Sequence, residues 1–244
     1  MISTINVKNL SKNYFEKKAV KNINFKIEEN EIVGLLGPNG CGKTTTIAMI
    51  LGLLRPTTGQ VLINDMDIEK NRISLLHEMN FISPYIELPK KLTVKQNLIV
   101  YAKLYGVKKI KERLDFLFDK LRLKDLINKK TGELSSGQKN RVSLAKALIN
   151  NPKILLLDEP TASLDPETGD FIRTFIENIT KEKKMSILLA SHNMNEVKRL
   201  CGRVLMMKNG IIIDEGSPDE LINKHGQTNL EEVFLKLNRV KNEF

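Results

Sequence analysis

Cysteine is scarce in this chain: Cys41 and Cys201 are the only two in 244 residues. A pair so sparse excludes a disulfide framework, and no closely spaced Cys pairs suggest a zinc site. Long hydrophobic runs are missing too. Ile154-Leu155-Leu156-Leu157 and Ile187 to Ala190 fall far short of the roughly 20 residues that a membrane-spanning helix needs. No charged-then-apolar segment opens the chain in the manner of a secretory signal, so a cytoplasmic, non-spanning protein is expected. Internal repeats, coiled-coil heptads and low-complexity tracts are absent as well. Acid is in short supply, with 29 Asp and Glu against 39 Lys and Arg, a formal charge of +10 and a pI of about 9.5. Such a balance favours acidic partners, whether nucleotides, nucleic acid or the anionic inner face of a membrane. Charge alone does not choose among them.

What is present centres on Gly37-Pro38-Asn39-Gly40-Cys41-Gly42-Lys43-Thr44-Thr45. It follows the apolar strand Ile32 to Leu36 and opens a helix with Ile47, Ile50, Leu51 and Leu54 at helical spacing. That context makes a P-loop of the motif. Glycines at 37, 40 and 42 let the backbone approach phosphate closely, so that successive N–H groups and the helix end surround an anion. Lys43 brings a mobile positive charge to the β and γ phosphates, and the Thr44 hydroxyl is a hard oxygen ligand suited to Mg²⁺. Asn39 and Thr45 add hydrogen bonds to the phosphates. The motif reads as nucleotide-binding without naming a family.

Around it the pattern predicts an α/β chain. Residues 2 to 30 alternate as strands, with Ile5 and Val7, then Ile23, Phe25 and Ile27, which implies an antiparallel β subdomain. Tyr14 falls in a loop between these strands, where its ring can stack on adenine or serve equally well as a half-buried core residue. From about 85 to 150 the pattern turns helical. Thr93 and Gln96 make a capping box ahead of one helix, and Ile110, Leu114, Leu117, Phe118 and Leu121 mark a second. Next, Leu134-Ser135-Ser136-Gly137-Gln138 opens another helix, and Ser135 with Gln138 has capping-box spacing. This reads as a well-made helix start or as a further anion site.

The run Ile154 to Leu157 suits a parallel strand buried on both faces. It ends in Asp158-Glu159, where open α/β sheets bind ligands, so Asp158 is placed for Mg²⁺ and Glu159 to take a proton from attacking water. Asp165-Pro166 starts a helix in the cap-then-proline manner. His192 ends the apolar strand Ser186 to Ala190, where a lone histidine reads either as a structural residue or, beside a phosphate site, as a contact to a γ phosphate. Asn209-Gly210 predicts a hairpin, and short helices follow Ser217-Pro218 and Asn229.

The order of these motifs resembles the ATP-binding cassette ATPases over nearly the whole chain. Leu134 to Gln138 is similar to their signature motif, Ile154 to Glu159 to their Walker B strand, Ser163-Leu164-Asp165 to their D-loop and His192 to their switch histidine. The resemblance implies a P-loop NTPase core with a parallel sheet (1–84 and 151–216), the N-terminal antiparallel β subdomain, an inserted helical subdomain (85–150) and a C-terminal helical tail (217–244). It implies ATP and Mg²⁺ as cofactors and a head-to-tail pair of cassettes, either a homodimer or two different chains. Each ATP would be held by one P-loop and by Ser135, Ser136, Gly137 and Gln138 of the other copy. Tyr14 takes the adenine-stacking position, Thr44 and Asp158 hold the metal, Glu159 polarises water and His192 senses the γ phosphate.

The expected role is the ATP-hydrolysing subunit of a transporter working with a separate membrane permease at the cytoplasmic face. Export is the expected direction, because Asn229 to Leu235 is similar to the tail of drug and polysaccharide exporters. No direct nucleic-acid partner is expected. The rivals are a soluble cassette ATPase acting on ribosomes or nucleic acid, and a sensing or immunity module. The sequence departs from the family pattern at three places. Ser136 stands where the signature usually has Gly, Ser83-Pro84-Tyr85 replaces a loop glutamine, and Cys41 puts a thiol in the P-loop. The thiol raises the expectation that oxidation blocks ATP binding.

Overall fold

A computed structural model describes residues 3–84 and 86–239, the side chains of 238 and 239 excepted. The first half of the chain runs β1 (Ser3–Tyr14), β2 (Lys17–Glu28), β3 (Ile32–Leu36), α1 (Lys43–Ile50), β4 (Thr58–Ile63), β5 (Met66–Asp67), α2 (Arg72–Leu76), β6 (Met79–Ile82), α3 (Val94–Leu104) and α4 (Ile110–Lys120). It continues through α5 (Ser136–Ala147), β7 (Ile154–Asp158), α6 (Pro166–Lys183), β8 (Ser186–Ser191), α7 (Met194–Leu200), β9 (Arg203–Lys208), β10 (Ile211–Gly216), α8 (Pro218–His225) and α9 (Leu230–Arg239). The chain divides into two compact units, one of residues 1–75 with 186–244 and the other of residues 76–185.

In the first unit, β2, β1, β4 and β5 form an antiparallel sheet. Alternation along β2 buries Ile23, Phe25 and Ile27, whereas β1 is buried throughout Thr4 to Val7. A second sheet sets β3 in parallel register between β8 and β9, while β10 closes on β9 as an antiparallel hairpin. The hairpin turn follows from its residues: Asn209 and Gly210 have φ of 50° and 86°, as a type I′ turn requires. Glu31 accepts two bonds from the Arg203 guanidinium, at 2.7 and 2.9 Å. Glu215 pairs with the same cation, which anchors the start of β9. Its deprotonation is thereby pushed even higher than usual for arginine, chiefly by the Glu31 bond.

In the second unit, β6 and β7 pair in parallel, and every residue of β7 is buried. The helical capping signals hold. Thr93 and Ser135 each complete a reciprocal capping box, and Asp165 caps α6 by accepting from the Thr168 amide at 2.9 Å. Asn97, 1% exposed on the inner face of α3, ties that helix to the carbonyls of Pro89, Leu92 and Thr93.

Three local expectations change. Strand β1 runs on through Tyr14, which pairs with Lys17, so the expected loop at 11–14 is strand. Helix α1 stops at Ile50, and Gly52 at φ 62° ends its last turn, leaving Leu54 beyond the helix. Helices α2 and α7 have no counterpart in the sequence reading, being one or two turns long and without a clear apolar period.

Candidate functional site

The P-loop is built within the first unit by crowding. A side chain at Gly37 would meet the Met207 carbonyl oxygen at 2.3 Å and Cys41 Sγ at 2.6 Å. Gly42 has φ 115°, a region closed to most L residues, and a Cβ there would stand 2.7 Å from the Ala19 carbonyl. The Gly210 amide donates to the Cys41 carbonyl at 3.0 Å, so the β9–β10 hairpin clamps the loop. Lys43, 6% exposed, lays its ammonium against the carbonyls of Gly37 at 2.6 Å and Pro38 at 3.2 Å. The charge is thereby held over the loop. Helices α3, α5, α6, α7 and α8 close their first turn with a side-chain acceptor, but α1 opens on Gly42, with no side chain and no acid in its first turn. A helix start of that kind favours an anion.

Cys41 corrects the oxidation expectation. It is 3% exposed, and burial pushes its thiol above the ordinary range, outweighing the opposing pull of Lys43. Thiolate is the reactive species, so the thiol is a packing group against Gly37. Alkylation of native protein at neutral pH should be far slower than of denatured protein, and mild peroxide should leave ATP affinity unchanged; rapid stoichiometric labelling of the folded chain would contradict this.

Tyr14 is 44% exposed, with the Lys12 ammonium 5.4 Å from its ring centre, so the ring is half-buried with part of its surface open to a ligand. Neighbouring Phe15, fully exposed at φ 51°, escaped the sequence reading altogether. His192 is exposed just after β8. The turn that carries it is fixed from below: Ser191 Oγ donates to buried Glu196 Oε2 at 2.7 Å and accepts from the Asn193 amide at 3.0 Å. Sequence alone gave no signal for Glu196, which looks like any acid in a helix first turn.

The second unit gathers the remaining motifs. Asp158 ends β7 at 2% exposure. Glu159 follows in the left-handed region at φ 53°, a conformation that costs a non-glycine residue about 1 kcal/mol and turns the chain sharply out of the strand. The Ala162 amide closes that turn on the Glu159 carbonyl at 3.1 Å. Ser136, Glu159 and Ser163 line one half-open cavity of about 310 Å³. Ser83 and Pro84, standing where the loop glutamine was expected, line it as well; Tyr85 lies outside the described residues. Asn140 of α5 donates to the Pro160 carbonyl at 2.6 Å, a tie the sequence did not announce.

The signature helix also accounts for which glycine is dispensable. Ser135 and Ser136 are exposed, so a side chain at 136 has room. A Cβ at Gly137 would stand 3.0 Å from Thr168 Cγ2 on the capped start of α6. Gly137→Ala should therefore be the less tolerated change, since the Thr168 side chain must give by a few tenths of an ångström, while Ser136→Gly should cost well under about 1 kcal/mol. Equal melting points for the two variants would refute this packing account.

No three-residue cluster of His, Cys, Asp and Glu suited to a metal occurs among the described residues, and none of their helices is long and apolar enough to cross a membrane.

Comparison with known proteins agrees with this arrangement. A family model described as ABC transporter matches residues 20–162. The chain is 35% identical to the ABC transporter ATP-binding protein NatA of Bacillus subtilis, over 89% of each chain. It is 34% identical to the Nod factor export ATP-binding protein I of Rhizobium etli, covering 91% of this chain and 71% of that one. The methionine import ATP-binding protein MetN of Clostridioides difficile is 35% identical, covering 89% of this chain and 70% of that one. A dimeric bacterial ABC transporter cassette superposes with a TM-score of 0.80 at 28% identity, covering 87% and 98% of the two chains. The ribosome-directed and sensing readings gain nothing from these likenesses. The chain belongs to the ABC transporter family, as an ATP-binding and ATP-hydrolysing subunit of a transport system.

Proposed function

We propose that two cassettes close head to tail on two ATP molecules and that the closure is passed to a separate permease at the cytoplasmic face of the membrane. One observation carries the reading: the serines of α5 stand exposed at a helix start whose first turn holds no acid, and Ser136 shares its cavity with Glu159. A helix start of this kind suits the phosphates of a nucleotide brought by another copy. The dimeric cassette among the similar structures supports the pairing.

In this reading Gly37 to Thr45 hold the phosphates, Tyr14 stacks on adenine, and Ser135, Ser136, Gly137 and Gln138 complete the site of the partner copy. Ser163 and Asp165 belong to the D-loop that follows Glu159. The Thr44 hydroxyl and Asp158 carboxylate are hard oxygen donors that fit Mg²⁺, and the metal would neutralise charge on the phosphates. Glu159 accepts the proton of the attacking water, and His192, held by the Ser191–Glu196 clamp, donates to the γ phosphate. The lobe of residues 85–150 carries the motion toward the permease, and the helical tail of 217–244 packs within the first unit, its residues 240–244 lying outside the described part.

Export is the finer reading. It rests on the tail's similarity to exporters and on the Nod factor relative, whereas a methionine import protein is comparably similar. Sedimentation tests the pairing: the Glu159→Gln variant with MgATP should dimerise, and adding Ser136→Arg should leave it monomeric while one ATP still binds per chain. Dimerisation of the double variant would refute it. Purification from its own cells in mild detergent tests the partner, with a stoichiometric polytopic membrane protein expected; association with ribosomes instead would overturn the transport reading.

A further inference from the structure

From Leu88 to Lys111 the sequence has seven lysines and no Asp or Glu. Residues 90–130 as a whole carry 13 Lys or Arg against 4 Asp or Glu, so nearly all of the +10 formal charge resides in this one segment. Folding concentrates it further. The amides of Val94 and Lys95 donate to the carbonyls of Lys129 and Ile127, and Thr93 bridges Lys130. Lys90, Lys91, Lys95, Lys129 and Lys130, all exposed, thus converge at the start of α3.

The outward face of α3 is unusual for a surface helix. Val94, Leu98 and Ala102 are fully buried on the inner side, yet the outer side carries Val100 at 46% and Leu104 at 69% exposure, one helical turn apart. Ile99 is partly exposed beside them, and Lys95 and Lys103 share the face. Lys90 of the cluster pairs with Glu87 at 2.7 Å, but α3 itself carries no acid, and aliphatic side chains set beside Lys95 and Lys103 match the boundary between anionic headgroups and acyl chains. Single-stranded nucleic acid would call for exposed aromatic rings on which bases stack, and the outer face of α3 has none.

We propose that the outer face of α3 with its lysine cluster docks directly on an anionic phospholipid surface. Val100 and Leu104 enter the headgroup boundary, and the lysines sit among the lipid phosphates. This contact is independent of any permease and goes beyond the transport reading.

The test uses the purified full chain and vesicles of phosphatidylcholine, with or without phosphatidylglycerol. The protein should sediment with the anionic vesicles and not with the neutral ones, and raising the salt should release it. Lys95→Gln with Lys103→Gln should lower partitioning roughly 25-fold, about fivefold per lysine. Leu104→Ser should lower it about tenfold by removing one inserted side chain. The chain contains no tryptophan, so Val100→Trp gives a single reporter whose emission should shift to the blue on anionic vesicles. Equal partitioning into neutral vesicles, full binding by the double glutamine variant, or an unmoved Trp emission on bound protein would each overturn the proposal. So would displacement of the vesicles by a short RNA that binds the same variants more tightly. ATP binding measured on each variant shows that the fold is kept, since none of these residues belongs to the nucleotide site.

Discussion

Glu159→Gln should bind MgATP as the native protein does and hydrolyse it about 10²- to 10⁴-fold more slowly. The amide keeps the size and reach of the carboxylate but loses its charge and its capacity to take a proton, with one acceptor oxygen replaced by a donating NH2. Because Glu159 already holds φ 53°, the substitution adds no backbone strain. The cavity it shares with Ser136 and Ser163 keeps its shape. Two measurements separate the cases: equilibrium nucleotide binding, and phosphate release in a single turnover. A fall of less than about tenfold would take the general-base role from Glu159, because a positioned base contributes at least about a hundredfold. Weakened binding with unchanged chemistry would make it a structural residue of the turn.

Gly37→Ala should abolish tight ATP binding and lower stability by about 3 kcal/mol or more. The added Cβ would fall 2.3 Å from the Met207 carbonyl oxygen and 2.6 Å from Cys41 Sγ. The first of these belongs to the backbone of β9, whose register with β3 is fixed by parallel pairing, so the loop must yield. Displacing Gly37 also removes the carbonyl on which the Lys43 ammonium rests at 2.6 Å. Overpacking of this kind typically costs 1 to 3 kcal/mol and sometimes more, and a shifted loop loses its aligned amides as well. Gly40→Ala is the matched control. It has φ 77° but open space around it, so only the backbone penalty of about 1 to 2 kcal/mol applies. Denaturant midpoints and ATP titrations of the two variants decide the matter. Native behaviour of Gly37→Ala would show that β9 can give way.

Much of the candidate site is legible in the sequence because its parts are local. A strand, a glycine turn and a helix start in direct succession define the P-loop, and a fully apolar run ending in two acids defines β7 with Asp158 and Glu159. Thr93, Ser135, Asp165 and Ser217 were readable as caps because each bond closes within three residues along the chain. Asn209-Gly210 was readable for the same reason, since the turn depends on two residues that accept positive φ.

The supports of those parts were not legible. That Met207 denies Gly37 a side chain, that Thr168 crowds Gly137, that Asn140 ties α5 to Pro160 and that Glu196 secures the His192 turn are all facts of packing. So is the concentration of lysines at the start of α3, where segments around 90–95 and 127–132 meet through backbone bonds. The sequence by itself determined which chemical groups this protein has, the turns and helix starts that present them and the family to which it belongs. Tertiary structure alone decided which glycines are crowded, that the Cys41 thiol is buried and that β1 runs on through a half-buried Tyr14. The division has a physical cause: turns and caps are set by bonds between residues three or four apart, whereas close packing is set by whichever distant backbone arrives alongside.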